Sequence, residues 1–271
     1  MEKNVHLKKW ISALFLCSIM LLQAQNENPI LIQTIKGSFF NASNDELGNI
    51  YVVTKNKRIV KYSDKGKELG VYSNIYIDSS SYLATQNAMK TLLYSPNDGN
   101  LILLDNNMAM NSKVNLFEKG IVSPSAISLF TDNTSYWIFD INTQSLARYS
   151  ATLEPVFSSK NIAQLETKKF TPNMILQNEK FVAMIDSTHG ILSFDMNGNY
   201  QKLYNFKGAT DILYHEFLLF MAVKDKIRVL DLRSGFQYDA KTFPNAIQIR
   251  FTYPYASVMY NDRVELYKIF N

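Results

Sequence analysis

The chain has 271 residues, 46% of them hydrophobic and 19% charged, with 28 Lys and Arg against 24 Asp and Glu. That balance is too apolar and too weakly charged for a disordered chain, and the length suffices to bury a core without disulfides or metals. Aromatic residues make up 13% of the chain against only 10 Gly and 7 Pro, a bias toward strand over helix.

The first element, residues 1–24, reads as a secretory signal. Lys3, Lys8 and Lys9 form a basic start, Ile11 to Leu22 an apolar run, and Ala24 a small residue ahead of a polar stretch. The run is shorter than the roughly 20 residues that a membrane span needs. Leu14, Phe15 and Leu16 precede Cys17 where lipid modification wants small residues, so a lipoprotein is not expected. Cleavage after Ala24 predicts a mature chain of residues 25–271 forming one domain. The segment takes with it the sole Cys, three Lys and one Glu, leaving 25 basic and 23 acidic residues. An exported chain without cysteine must be held by packing and hydrogen-bonded strands. Its near-zero net charge gives no electrostatic case for a nucleic acid or an anionic membrane surface. The periplasm is the default compartment, with outer-membrane association or secretion as alternatives.

Six units follow, each with a polar turn, an apolar strand, a second turn and a strand ending in an aromatic or Leu. The apolar strands are Ile50–Val53, Thr91–Tyr94, Tyr136–Phe139, Phe181–Ile185, Phe217–Val223 and Ala256–Tyr260. Their partners are Arg58–Tyr62, Leu101–Leu104, Ser145–Tyr149, Gly190–Phe194, Lys226–Leu230 and Arg263–Tyr267. The partner strands end 36 to 45 residues apart. Each unit has room for one strand before this pair and one after, such as Lys113–Phe117 and Gln201–Phe206. Asp64-Lys65-Gly66, Asn97-Asp98-Gly99-Asn100 and Met196-Asn197-Gly198-Asn199 supply the positive-φ positions of tight hairpins. Apolar runs such as Phe217–Val223 imply burial on both faces and read as the inner strands, and alternating runs such as Lys226–Leu230 as wetter ones. That gradient predicts an all-β, six-bladed β-propeller with four-stranded antiparallel blades. Five or seven blades are the alternatives. The sixth unit runs out of chain after three strands. Ile30–Ile35 near the mature N-terminus is expected to supply the fourth, closing the ring and hiding two sheet edges.

The stretch Asp45-Glu46-Leu47-Gly48-Asn49-Ile50-Tyr51-Val52-Val53, followed by Ile59-Val60-Lys61-Tyr62 and Asp64-Lys65-Gly66, resembles blades of the NHL and TolB-like six-bladed propellers. Residues 45–66 carry the likeness and residues 195–200 echo its turn. The whole chain is also similar to exported Bacteroidota proteins of like length. The resemblance carries no catalytic motif, and no Trp-Asp dipeptide of the WD40 kind ends a blade.

His189 and His215 are the only histidines past the signal, and they lack zinc-ligand spacing. Asp186, Ser187 and His189 are adjacent in sequence, which is not a triad geometry. Asp186-Ser187-Thr188 resembles the short O-glycosylation sequon of Bacteroidota. Some six-bladed propellers are calcium-dependent lactonases, for which Asp45, Glu46, Asn178, Glu179, Asp211 and Glu216 would be the candidates here. No cofactor or metal is expected. Tyr72, Tyr76, Tyr82, Tyr253 and Tyr255 sit at blade connections, where tyrosines present a flat ring and a hydroxyl to a partner. Ser73–Asn87 reads as a long surface loop. The expected function is an exported, non-enzymatic binding or scaffolding propeller in the cell envelope, monomeric or part of an assembly. It would engage an envelope protein or a small ligand at one face. The alternative is a lactonase-, esterase- or glycosidase-like propeller enzyme.

Overall fold

A computed structural model describes residues 29–129, 135–177 and 180–270. Residues 1–24, where a signal is expected, and Asn178 and Glu179 lie outside these residues.

Strand β1 (Ile30–Lys36) precedes the first complete blade, β2 (Phe39–Asn44), β3 (Ile50–Thr54), β4 (Arg58–Tyr62) and β5 (Glu68–Ser73). The second is β6 (Tyr82–Asn87), β7 (Lys90–Ser95), β8 (Asn100–Asp105) and β9 (Met110–Asn115). The third is β10 (Pro124–Leu129), β11 (Ser135–Asp140), β12 (Ser145–Ser150) and β13 (Pro155–Ser158), followed by the short helix α1 (Ile162–Glu166). The fourth is β14 (Met174–Gln177), β15 (Val182–Asp186), β16 (Gly190–Phe194) and β17 (Tyr200–Tyr204). The fifth is β18 (Ala209–His215), β19 (Leu218–Val223), β20 (Lys226–Asp231) and β21 (Gln237–Thr242). The last holds β22 (Gln248–Thr252), β23 (Tyr255–Met259) and β24 (Arg263–Lys268), and β1 is its fourth strand. All six sheets are four-stranded and antiparallel. Ile35 pairs with Val264 and Ile30 with Lys268, so the two ends of the chain close the ring as the sequence predicts.

The core lies between blades. Six apolar clusters occupy the six blade junctions, and the second strand of each blade feeds two of them. Ile50 and Val52 of β3 point toward the last blade, whereas Tyr51 and Val53 point toward the second. Tyr136 and Ile138 of β11 face the second blade, and Trp137 and Phe139 the fourth. A strand that alternates between two dry interfaces reads as a continuous apolar run. At roughly 1.5–3 kcal/mol for each fully buried large apolar side chain, these junctions hold most of the stabilising free energy.

The structure departs from two expectations. The apolar runs are the second strands, and the innermost strands are β2, β6, β10, β14, β18 and β22, which approach one another around the axis. These are more polar because they face the channel, where Ser43 and Thr85 share a 2.6 Å hydrogen bond. The proposed long loop at Ser73–Asn87 is also shorter than expected. Ser73 ends β5 and Tyr82–Asn87 forms β6, so only residues 74–81 connect them.

The turn that carries the family resemblance is a buried lock. Asp45 accepts the backbone N–H groups of Leu47 (3.0 Å) and Asn49 (2.9 Å), the Asn49 amide (2.7 Å) and the Tyr51 hydroxyl (3.0 Å). Lys61 Nζ lies 3.8 Å from Asp45 and donates to the carbonyls of Ala88 (3.1 Å) and Asn106 (3.2 Å) in the next blade. Burial and the neighbouring Asp45 carboxylate push the Tyr51 hydroxyl far up, and burial draws the Lys61 ammonium down. Gly48 takes φ of 80° there, with the Tyr255 ring where a Cβ would sit at 3.1 Å. Asp195 builds the same turn with Asn197 and Asn199, but between the third and fourth strands of its blade.

Candidate functional site at the channel mouth

The propeller has two unlike faces. One carries the hairpins between first and second and between third and fourth strands, here the hairpin face. The other carries the blade-to-blade connections.

On the hairpin face a cavity of about 280 Å3 opens where the inner strands end. Leu176, Phe181, Ile212, Leu213, Tyr214 and Phe251 give it apolar walls, and Glu46, Gln86, Gln177, Thr252 and Tyr253 supply its polar atoms. These residues come from five blades, so only the closed ring assembles them. Phe181 meets Tyr214 edge to face at 5.6 Å between centroids. Tyr253 stacks on His215 at 4.7 Å, and Phe270 lies 4.7 Å from the same imidazole. An apolar concavity with few polar groups and a rigid aromatic rim is the usual form of a ligand or side-chain receptor.

Polar groups behind the mouth hold the blades in place. Asp211 is fully buried and accepts the N–H groups of Ile212 (2.7 Å) and Phe251 (2.9 Å), the latter in the next blade. Burial raises its carboxyl to about 6, against the opposing pull of Arg250 and the two N–H donors. Arg250 donates to the Thr210 carbonyl at 3.1 Å.

The acidic candidates for a lactonase-like centre are engaged separately. Asp45 holds its own turn, both Glu46 oxygens accept Ala88 N–H (3.0 and 2.9 Å), and Asp211 binds backbone. Glu216 is exposed in a left-handed turn. Among the described residues, no three His, Cys, Asp or Glu side chains are grouped to hold a metal ion. No helix among the described residues is long and apolar enough to cross a membrane.

The five tyrosines do not share a surface. Tyr253, 43% exposed, lines the mouth, and half-buried Tyr255 packs beneath the neighbouring Asp45 turn. Tyr76, 44% exposed, lies on the connection face. Tyr72 packs its ring into a blade junction, with its hydroxyl 3.3 Å from the Asn74 amide. Tyr82 faces inward from β6, where burial pushes its hydroxyl up to about 12. Leu176, Phe181, Ile212, Leu213 and Tyr214 escaped sequence reading, because apolar residues at the end of an inner strand look like core.

Many solved structures share the fold, two of them as follows. One is the WD40 domain of Neurospora crassa Pan2, at 7% identity over 87% of this chain and 80% of that chain, with a TM-score of 0.59. The chain is a β-propeller by fold. BamB from Moraxella catarrhalis is the other, at 10% identity over 89% and 90%, with a TM-score of 0.50. At such identities the likeness is one of fold alone, and it reaches a WD40 domain although this propeller has no Trp-Asp blade ends. No protein-family model and no curated protein matches the chain.

Proposed function

We propose that this propeller is an exported, non-enzymatic binding module of the cell envelope that receives its partner at the channel mouth. The observation that carries this reading is the apolar cavity at the axis, walled by five blades and rimmed by the Tyr253–His215–Phe270 stack. A partner's aromatic or aliphatic side chain, or a small apolar ligand, would fill it, with Gln86 and Thr252 as polar contacts. Three of the acidic candidates favour binding over catalysis, because Asp45, Glu46 and Asp211 are each committed to donors that hold a turn or join neighbouring blades. The signal-like segment at residues 1–24 supports export, and the two propellers of similar fold are compatible with a scaffold.

The test is affinity capture from envelope fractions, comparing the wild type with Leu213→Glu, which places a charge in the apolar wall. The expected result is one specific partner retained by the wild type and lost by the variant at unchanged melting temperature. Recovery of the full-length precursor in the cytosol, or identical capture by both proteins, would contradict the reading.

A further inference from the structure

A second cavity, of about 470 Å3, lies on the flank of the fourth blade, away from the channel mouth. Its walls are the outermost strand β17, the connection carrying α1, and the turn between β15 and β16. Lys168, Lys202 and Lys207 line it, together with the amides of Gln201 and Asn205 and the imidazole of His189. Glu166 is the one carboxylate on the wall, and it accepts a hydrogen bond from the Tyr200 hydroxyl. None of the three lysines forms an ion pair among the described residues. Lys202 sits over the Tyr204 ring at 4.6 Å, which positions its ammonium without neutralising it.

His189 is fixed from behind. Its Nδ1 lies 3.2 Å from Asp186 Oδ1, and its ring meets Phe170 edge-on at 5.1 Å. Asp186 is itself anchored by the N–H groups of Thr171 (2.8 Å), Thr188 (2.9 Å) and His189 (3.0 Å). Nδ1 is thus buried on the Asp186 side of the ring without a hydrogen bond of its own, which leaves Nε2 as the nitrogen available to a ligand. Sequence reading treats His189 as a solvated turn residue, whereas the fold packs it into the cavity wall.

We infer that this flank cavity binds a small oxyanion carrying at least two negative charges. Three ammoniums outside ion pairs, against the single Glu166 carboxylate, leave the concavity net positive and raise the local potential, and two amides offer neutral donors to the same oxygens. Lysines act as point charges and impose no bidentate geometry, so selection follows charge count more than shape. Phosphoryl and polycarboxylate groups share that chemistry. The site is independent of the channel mouth.

The experiment titrates the mature protein with pyrophosphate, citrate and glucuronate at low, matched ionic strength, following calorimetry and amide shifts near His189. Pyrophosphate and citrate should each saturate and bind about tenfold more tightly than monoanionic glucuronate, weakening as salt is added. Pyrophosphate binding alone would assign the site to phosphoryl ligands, and citrate binding alone to polycarboxylates. The pair Lys202→Gln and Lys207→Gln should lose about tenfold in affinity, with Lys113→Gln and Lys241→Gln on other blades as the control pair. Non-saturating titrations, or equal weakening by both pairs, would overturn the inference. His189→Gln gives a second readout, because it should weaken binding without changing the salt dependence set by the lysines.

Discussion

Thr252 donates its hydroxyl to the Asn44 carbonyl at 2.8 Å, joining the innermost strands of the last and first blades across 208 positions of sequence. The Asn44 side chain, fully buried, accepts the Ser257 N–H at 3.1 Å. Gln248 completes the seam, accepting Ala42 N–H at 3.0 Å and donating to Asn41 at 2.9 Å. The ring is thus closed twice, by polar contacts at the axis and by β1 at the rim. Asn44→Ala removes the buried acceptor of the Ser257 N–H and the donor to the Thr252 carbonyl, which should cost about 1–3 kcal/mol in urea unfolding. A loss no larger than that of an exposed Asn→Ala would mean that the seam carries no stability.

Asp211 gives the seam between the fifth and last blades a pH dependence. A carboxyl raised to about 6 in the folded state binds its proton more tightly there than in the unfolded chain, where its pKa is about 4. Its contribution to stability therefore falls as pH rises from about 4 to about 6 and is flat above that. Asp211→Asn removes this dependence and keeps one acceptor. Between about pH 4.5 and about pH 7.5, the difference in Tm should shift by several degrees in favour of the variant. A difference that stays constant with pH contradicts the assignment.

Lys61 and Asp45 form a buried pair whose partners are not exchangeable. Lys61→Met removes the cation from beside Asp45 and the donor from two carbonyls of the second blade. Breaking one side of a buried ion pair should cost about 3–5 kcal/mol, read as a lower denaturation midpoint at unchanged slope. Tyr51→Phe removes one of several donors to Asp45 and should cost only about 1 kcal/mol. Equal losses would contradict the ranking.

Blade number, the closing strand and the Asp45 turn were legible because each rests on a local pattern: alternation, spacing, or a short polar turn. Which strand lies innermost was not. Phe217–Val223 looks like the most buried element, and its β19 portion is sandwiched between two blade junctions, with Met221 facing one and Ala222 the other. The channel strands hide their role because their polar side chains pair between neighbouring inner strands of adjacent blades. Thr85 donates to the Asn44 carbonyl at 2.9 Å, a bond between residues 41 apart that makes a polar segment look like loop. The site failed to show for a related reason. Ile212 and Leu213 are core-like in sequence, and only the packing of successive blades brings them beside Phe181 and Tyr253.

The closing strand should matter out of proportion to its burial. Of β1 only Ile35 is buried, yet the strand covers the whole edge of β24. Deleting residues 25–36 exposes that edge to pairing with other chains. Size-exclusion chromatography should then show loss of the monomer to soluble or insoluble aggregates, with residues 25–271 as reference. A monodisperse, equally stable truncation contradicts closure by β1.

The most direct test of the account is photo-crosslinking from two tyrosine positions of nearly equal exposure. Tyr253, 43% exposed, lines the mouth on the hairpin face, and Tyr76, 44% exposed, lies on the connection face. A photoreactive phenylalanine at each site, in cells, should yield a discrete adduct from position 253 that disappears in the Leu213→Glu background, and none from position 76. Adducts from position 76 alone, or adducts from 253 that survive Leu213→Glu, would contradict binding at the channel mouth.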